Sequence, residues 1–332
     1  MSSSFELGEV FRNHCVVSIP TKTNFRGIQY REAFLFRGSA GWSEFSPFLE
    51  YGAEESARWL SAAIEGAYKP WPELHRRSIA INATLPRIPA DQVATFLENY
   101  PGCTTIKMKV DNFESDADRL EAVLDCIPDA KIRLDVNGGW SLGEARTHLY
   151  NYFMQFGSVF EYVEQPCSSL EDLAILKSEI PIKIAADESI RKFIGSDFSD
   201  LKNIADIAII KWAPSGGMSE ARKLIDSIGL PAVISSAVDT AVGISHGLAL
   251  AASLPQLDYA CGLGTTALLT GDVVSSRPIP VAGELNVGLV EPEPELLQRY
   301  AADSDRVEWW ENRVTEIWNS YVSQEVKSWA KQ

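Results

Sequence analysis

A chain of 332 residues, 45% apolar and 23% charged, has the composition of a globular protein and the length for a barrel plus a smaller domain. Its net charge of −15 argues against nucleic acid or an anionic membrane surface as partner, and no apolar stretch approaches the ~20 residues of a membrane span. The start, Met1-Ser2-Ser3-Ser4-Phe5, has no basic n-region or apolar h-region, so a cytoplasmic location is expected. The five cysteines form no CxxC pair and read as small buried hydrophobes in a reducing compartment. The four histidines have no metal-ligand spacing and read as structural. Nothing in the sequence assigns an oligomeric state.

In chain order, 14–20, 27–37 and 41–45 alternate like short strands, with a polar loop expected at 22–27. Ala57, Leu60, Ala63 and Ile64 make a helical stripe within 54–68. Strands followed by a helix predict an α+β domain over 1–80. The rhythm then changes. Strands are predicted at 78–83, 104–110, 131–137, 159–165, 182–188, 205–211, 232–237 and 259–263. Amphipathic stretches separate them, among them 115–126, 141–152, 219–228 and 240–254, and Ser141 with Glu144 forms a capping-box signature. Strand–helix alternation predicts a parallel barrel over 81–282. An open doubly wound sheet is disfavoured because no GxGxxG follows the first strand. The acidic, proline-punctuated 290–295 leads into two further helical stretches, so 283–332 is expected to join the first domain.

Charged residues recur at the strand ends. Lys107-Met108-Lys109, Asp135-Val136-Asn137, Glu164-Gln165-Pro166, Asp187-Glu188-Ser189 and Lys211-Trp212 each close an apolar run, in the order base, acid, acid, acid, base. One carboxylate at a strand end is more often a cap or an ion-pair partner, and one lysine is usually solvated. Five in order, at the barrel end where sites are built, call for a shared purpose. Asp135, Glu164 and Asp187 fall on adjacent strands three, four and five. Their mutual repulsion is relieved by a hard divalent cation, for which Mg²⁺ suits carboxylates better than Zn²⁺ does. Lys109 and Lys211, on strands two and six, face each other across the barrel. Nearby positive charge lowers a lysine's pKa and makes it a usable base. The set suits proton abstraction α to a carboxylate on a small-molecule substrate.

At these residues the chain resembles the enolase superfamily, and within it the muconate-lactonising-type subgroup. The resemblance spans nearly the whole chain and implies a modified (β/α)7β barrel behind an N-terminal α+β capping domain. It implies Asp135, Glu164 and Asp187 as ligands of Mg²⁺ or Mn²⁺, Lys109 as catalytic base and Lys211 as the opposing lysine. Superfamily sites pair a lysine or histidine base with one or two Mg²⁺ ions. Arg133-Leu134-Asp135-Val136-Asn137, Glu164-Gln165-Pro166-Cys167, Ala186-Asp187-Glu188-Ser189 and Val233-Ile234-Ser235-Ser236-Ala237 are most similar to the o-succinylbenzoate synthase family, as are the 29- and 23-residue spacings of the three acids. That likeness implies a lyase of menaquinone biosynthesis, dehydrating 2-succinyl-6-hydroxy-2,4-cyclohexadiene-1-carboxylate through a metal-stabilised enediolate. It further implies Lys107, Asn137, Ser235, Ser236 and Gly262 as substrate contacts, and closure of 22–27 over the substrate. The alternative is an N-acylamino acid racemase or dipeptide epimerase using the same two lysines. Gly262-Leu263-Gly264 lacks the Asp-x-Asp that dipeptide epimerases often carry on strand eight. A barrel without catalysis is disfavoured because structure alone does not require both lysines.

Overall fold

The computed structural model describes residues 5–25, 27–192 and 200–329. Helix α1 (Phe5–Arg12) leads into an antiparallel meander of β1 (His14–Phe25), β2 (Ile28–Arg37) and β3 (Trp42–Phe45). Side-chain alternation gives the meander two apolar faces. Val16, Phe34, Phe36 and Phe45 join the main core with Trp59, Leu60, Ala63 and Ile64 of α2 (Ala53–Tyr68). Val17, Ile19, Ala33 and Leu35 pack on Val238, Val242, Leu268 and Leu269 of the barrel portion. The expected loop at 22–27 is instead strand as far as Phe25, which pairs with Ile28; Arg26 lies outside the described residues. β-Branched Thr21 and Thr23 favour extended backbone. Outside bonds hold it there, from the Thr270 N–H to the Pro20 carbonyl (2.9 Å) and from Lys22 Nζ to Asn99 (3.1 Å).

The elements that follow are β4 (Ser78–Ala80), β5 (Ala83–Leu85), α3 (Val93–Leu97), β6 (Thr105–Lys109), α4 (Phe113–Cys126), β7 (Lys131–Asp135) and α5 (Leu142–Phe156). Then come β8 (Phe160–Glu164), α6 (Leu170–Glu179), β9 (Ile184–Ala186), α7 (Glu188–Lys192), α8 (Leu201–Ile204), β10 (Ile207–Lys211), α9 (Met218–Ile228), β11 (Ala232–Ser235) and α10 (Ala241–Ser253). Strands β5 to β11 form one parallel sheet in sequence order. The expected capping box opens α5, with Ser141 and Glu144 bonded reciprocally.

Two expected barrel strands differ. The 78–83 stretch splits: β4 leaves to pair antiparallel with β12 (Glu284–Asn286), and the parallel sheet starts only at Ala83. Between them, buried Asn82 turns its amide onto the Ala83 carbonyl (2.9 Å), a side-chain bond that competes with the ladder. The 259–263 stretch forms only two parallel bridges, Ile81 with Cys261 and Ser235 with Gly262, which close the sheet. Its Ala260 carbonyl is taken by the Arg133 guanidinium (2.7 Å).

Among the described residues three helices, not two, come last: α11 (Pro294–Arg299), α12 (Ser304–Ser320) and α13 (Gln324–Trp329). Helix α12 returns to the first domain. Trp310 meets Phe45 edge-on at 5.6 Å, Arg313 donates to the Tyr51 carbonyl (2.7 Å), and Arg306 pairs with Glu32 (2.6 Å). Cys103, Cys167 and Cys261 are buried as expected, whereas Cys126, on the solvent side of α4, is exposed. Among the described residues, no helix is long and apolar enough to cross a membrane.

His246 joins the two portions. Its Nδ1 accepts from Trp71 Nε1 (3.2 Å), so Nε2 carries the proton and donates to the Trp42 carbonyl (3.1 Å); its ring packs 4.7 Å from Trp212. Burial pushes this imidazole down to about 4 from its ordinary 6.5. The unfolded chain therefore binds a proton that the folded one refuses between those values, and stability falls as pH drops through 6.5 towards 4. The expected loss is about 2 kcal/mol by pH 5. Thermal unfolding at pH 7 and pH 5 checks this: His246→Gln should lose less than the wild type on acidification, and equal losses would place the acid sensitivity elsewhere.

Candidate active site

Parallel register puts the charges at one level. Lys109 on β6 stands opposite Asp135 on β7, and Asp135 opposite Glu164 on β8. Glu164 pairs with Ala185 on β9, so Asp187 emerges just past that strand's end, while Lys211 closes β10 opposite Ser235 on β11. The period of two sends Lys107 and Lys109 to the same side. Gln165, buried and at φ +41°, organises the next turn: its Oε1 accepts from the backbone N–H groups of Asp187 (3.0 Å) and Ser189 (3.1 Å). That fixes the carboxylate-bearing corner after β9.

The side chains interlock. Lys109 Nζ donates to Asp135 Oδ2 (2.6 Å) and to Asn137 Oδ1 (2.6 Å). Lys107 Nζ bridges Asp135 (3.0 Å) and Glu164 (3.1 Å), and Lys211 Nζ meets Asp187 Oδ2 at 2.6 Å. Burial lowers the Lys109 pKa, and Lys107 beside it adds to the effect against the pull of Asp135. Burial also works against the Lys107 charge, yet Asp135 and Glu164 together hold that ammonium well above its ordinary value. Glu164 is pushed up to about 7 by burial and by Asp135. Asp135 and Asp187 are held low despite burial, the first by Lys107 and Lys109, the second by Lys211 and Arg191. Adjacent groups with such divergent affinities for protons make these residues candidates for proton transfer.

Asp135, Glu164 and Asp187 offer oxygen donors only, the set a hard divalent cation takes. Asp135 Oδ1 is buried with no hydrogen-bond partner, so one donor atom is left to be satisfied by a ligand. The three acids are spaced by lysine ammoniums, and among the described residues no three His, Cys, Asp or Glu side chains are gathered tightly enough to hold a metal ion as they stand.

All ten residues singled out from the sequence border one cavity, partly open to solvent: Lys107, Lys109, Asp135, Asn137, Glu164, Asp187, Lys211, Ser235, Ser236 and Gly262. Gly262 sits where any Cβ would stand 2.7 Å from Ser235 Oγ. Arg133 lies outside the cavity, pairing with Glu161 (2.6 Å) as a buried structural ion pair. Sequence reasoning missed part of the wall. Phe48, Tyr51 and Trp59 reach in from the first domain, and Arg191 and Glu188 from α7. Glu188 carried a signal in its place beside Asp187. The aromatic residues carried none, because only tertiary packing brings them to the cavity.

Residues 16–67 match a model of enolase N-terminal domain-like sequences, and residues 90–292 match one of enolase C-terminal domain-like sequences. The o-succinylbenzoate synthase of Mycobacterium leprae is 43% identical over 92% of this chain and 92% of its own length. That of Mycolicibacterium smegmatis is 41% identical over 93% and 96%. The chain belongs to the o-succinylbenzoate synthase family of the enolase superfamily. Members of this family are lyases, and this chain is one. The fold agrees with that family. The muconate lactonizing enzyme from Pseudomonas putida superposes with a TM-score of 0.70 at 18% identity, over 87% of this chain and 98% of that one. The 2-chloromuconate cycloisomerase from Rhodococcus opacus gives 0.69 at 21%, over 88% and 98%.

Proposed function

We propose that this chain dehydrates 2-succinyl-6-hydroxy-2,4-cyclohexadiene-1-carboxylate to o-succinylbenzoate, a step of menaquinone biosynthesis, with Lys109 as base. One observation carries the reading: a lysine whose pKa is lowered by burial is hydrogen-bonded to a carboxylate on the next strand, inside a cavity shared with a second lysine. Lys109 Nζ takes the proton from the ring carbon that bears the carboxylate. The electron pair passes into that carboxylate, then returns to expel hydroxide from the neighbouring carbon. The Lys109 ammonium gives its proton to the departing hydroxide, so water leaves, the ring becomes aromatic and the amine is regenerated. Lys211 stabilises the anion electrostatically and through a cation–π contact with the forming ring. Asn137 orients Lys109, and Lys107 holds Asp135 and Glu164 in register. Ser235, Ser236 and the Gly262 backbone offer polar contacts to the carboxylate and succinyl groups. Asp135, Glu164 and Asp187 would hold a divalent cation, for which we propose Mg²⁺; bound there, it would stabilise charge developing on the substrate carboxylate.

We further propose a working division of the chain into a capping unit (1–80 with 283–332) and a catalytic barrel (81–282). Acidic charge and free cysteines support a cytoplasmic enzyme.

Racemisation of an N-acylamino acid is the second reading. It is favoured by one observation, that Lys211 has its own 2.6 Å carboxylate partner, mirroring Lys109 and Asp135. Protein incubated in heavy water with an N-succinyl amino acid separates the two. Label incorporated at the α-carbon faster than the cyclohexadiene is consumed would favour racemisation; the proposal expects the reverse.

A further inference from the structure

We propose that Arg31, on β2 of the first domain, is a positioning residue for the reaction: it holds Val238 in a strained backbone conformation and thereby sets the 235–238 wall of the cavity. The proposal rests on the dehydration reading for its kinetic test and on geometry for the rest. Ser235, Ser236, Ala237 and Val238 all border the cavity. Val238 has φ +62°, a left-handed conformation that a β-branched residue adopts only when its surroundings force it. Two grips supply the force. The Val238 side chain is buried beneath the meander with Val17, Ile19 and Leu35, and its carbonyl accepts from Arg31 Nε (3.1 Å).

Arg31 is itself fixed on every side. Its Nη2 donates to the Ser46 carbonyl and to Ser46 Oγ (3.0 Å), and its guanidinium lies 3.9 Å from Asp239. It also stacks over Phe48 with 4.8 Å to the ring centroid. Phe48 borders the cavity too, so a single buried cation touches both the cap-side wall and the barrel-side wall. Ser46 Oγ passes the chain of bonds on to Glu44 (2.6 Å), whose carboxylate accepts from Thr240 Oγ1 (2.6 Å), the Thr240 N–H (3.1 Å) and the Gly243 N–H (3.0 Å) at the start of α10. The strained residue and the turn that follows it are thus both bonded to the first domain. A planar fork holds its several donors in one fixed geometry, which a compact lysine ammonium on a flexible stem does not reproduce.

A double-mutant cycle tests the proposal, because glycine adopts positive φ without strain. Arg31→Lys should raise KM for the cyclohexadiene about tenfold with kcat within about threefold, the size expected from releasing one strained residue. Exchange of the Ala237 and Thr240 amides should accelerate alongside. In a Val238→Gly background, Arg31→Lys should raise KM by less than about threefold and change that exchange little, since the glycine no longer needs holding. Ser46→Ala, which removes one of the fork's acceptors, should give a smaller version of the same pattern and covers a failure of Arg31→Lys to fold. Equal effects of Arg31→Lys in both backgrounds would overturn the proposal, as would a fall in Tm with KM and exchange unchanged. A wild type inactive on the cyclohexadiene would count against the dehydration reading alone, and the exchange data would then decide the clamp.

Discussion

Lys109→Ala should lower kcat about 10⁴-fold with the circular dichroism spectrum unchanged. The size follows from two duties placed on one amine, removing a proton and then returning it to the leaving hydroxide. The site offers no substitute. Lys107 is tied to both Asp135 and Glu164 with its ammonium held well above the ordinary value, and is therefore a poor base. Lys211 approaches from another strand and is bound to Asp187. The fold should survive because Asp135 keeps Lys107 at 3.0 Å, so no buried carboxylate is left without a cation. Steady-state kinetics beside circular dichroism check this. Residual activity within tenfold of wild type would mean that another group is the base.

Asp187→Ala should weaken Mg²⁺ binding about 100-fold and abolish turnover at ordinary Mg²⁺ concentrations. Removing one of three oxygen donors leaves Asp135 and Glu164, whose oxygens are shared with the Lys107 and Lys109 ammoniums. Asp187 is also the partner of Lys211, so its loss frees that ammonium within the cavity and adds electrostatic repulsion against an incoming cation. Titration calorimetry reads the affinity directly. Binding equal to wild type would remove Asp187 from the metal site.

The sequence made the middle of the barrel legible and its seam illegible, for physical reasons. Strands β6 to β10 are largely buried, so each carries an apolar run, and each run is closed by a charge at or just past the strand tip that faces the cavity. The seam differs. The Ala83 and Ala260 carbonyls accept from the Asn82 and Arg133 side chains, so the first and last strands are short or reduced to bridges while their composition still looks extended. At 22–27 the polar composition argued for a loop, but the strand anchored at Pro20 and Thr21 on 269–270 runs on to Phe25, which pairs with Ile28. The cavity's cap-side wall was hidden for a third reason. Phe48, Tyr51 and Trp59 look like ordinary core residues, and Arg31 like an ordinary strand arginine, until the meander is seated on the barrel. Their roles depend on contacts across some two hundred residues, which no local pattern encodes.

The most direct measurement is the fate of the cyclohexadiene itself. Purified protein supplied with Mg²⁺ should convert it completely to o-succinylbenzoate, seen as the rise of the aromatic product's absorbance, and a chelator should stop the conversion until Mg²⁺ is restored. Substrate left unchanged by folded, Mg²⁺-supplied protein would contradict the account.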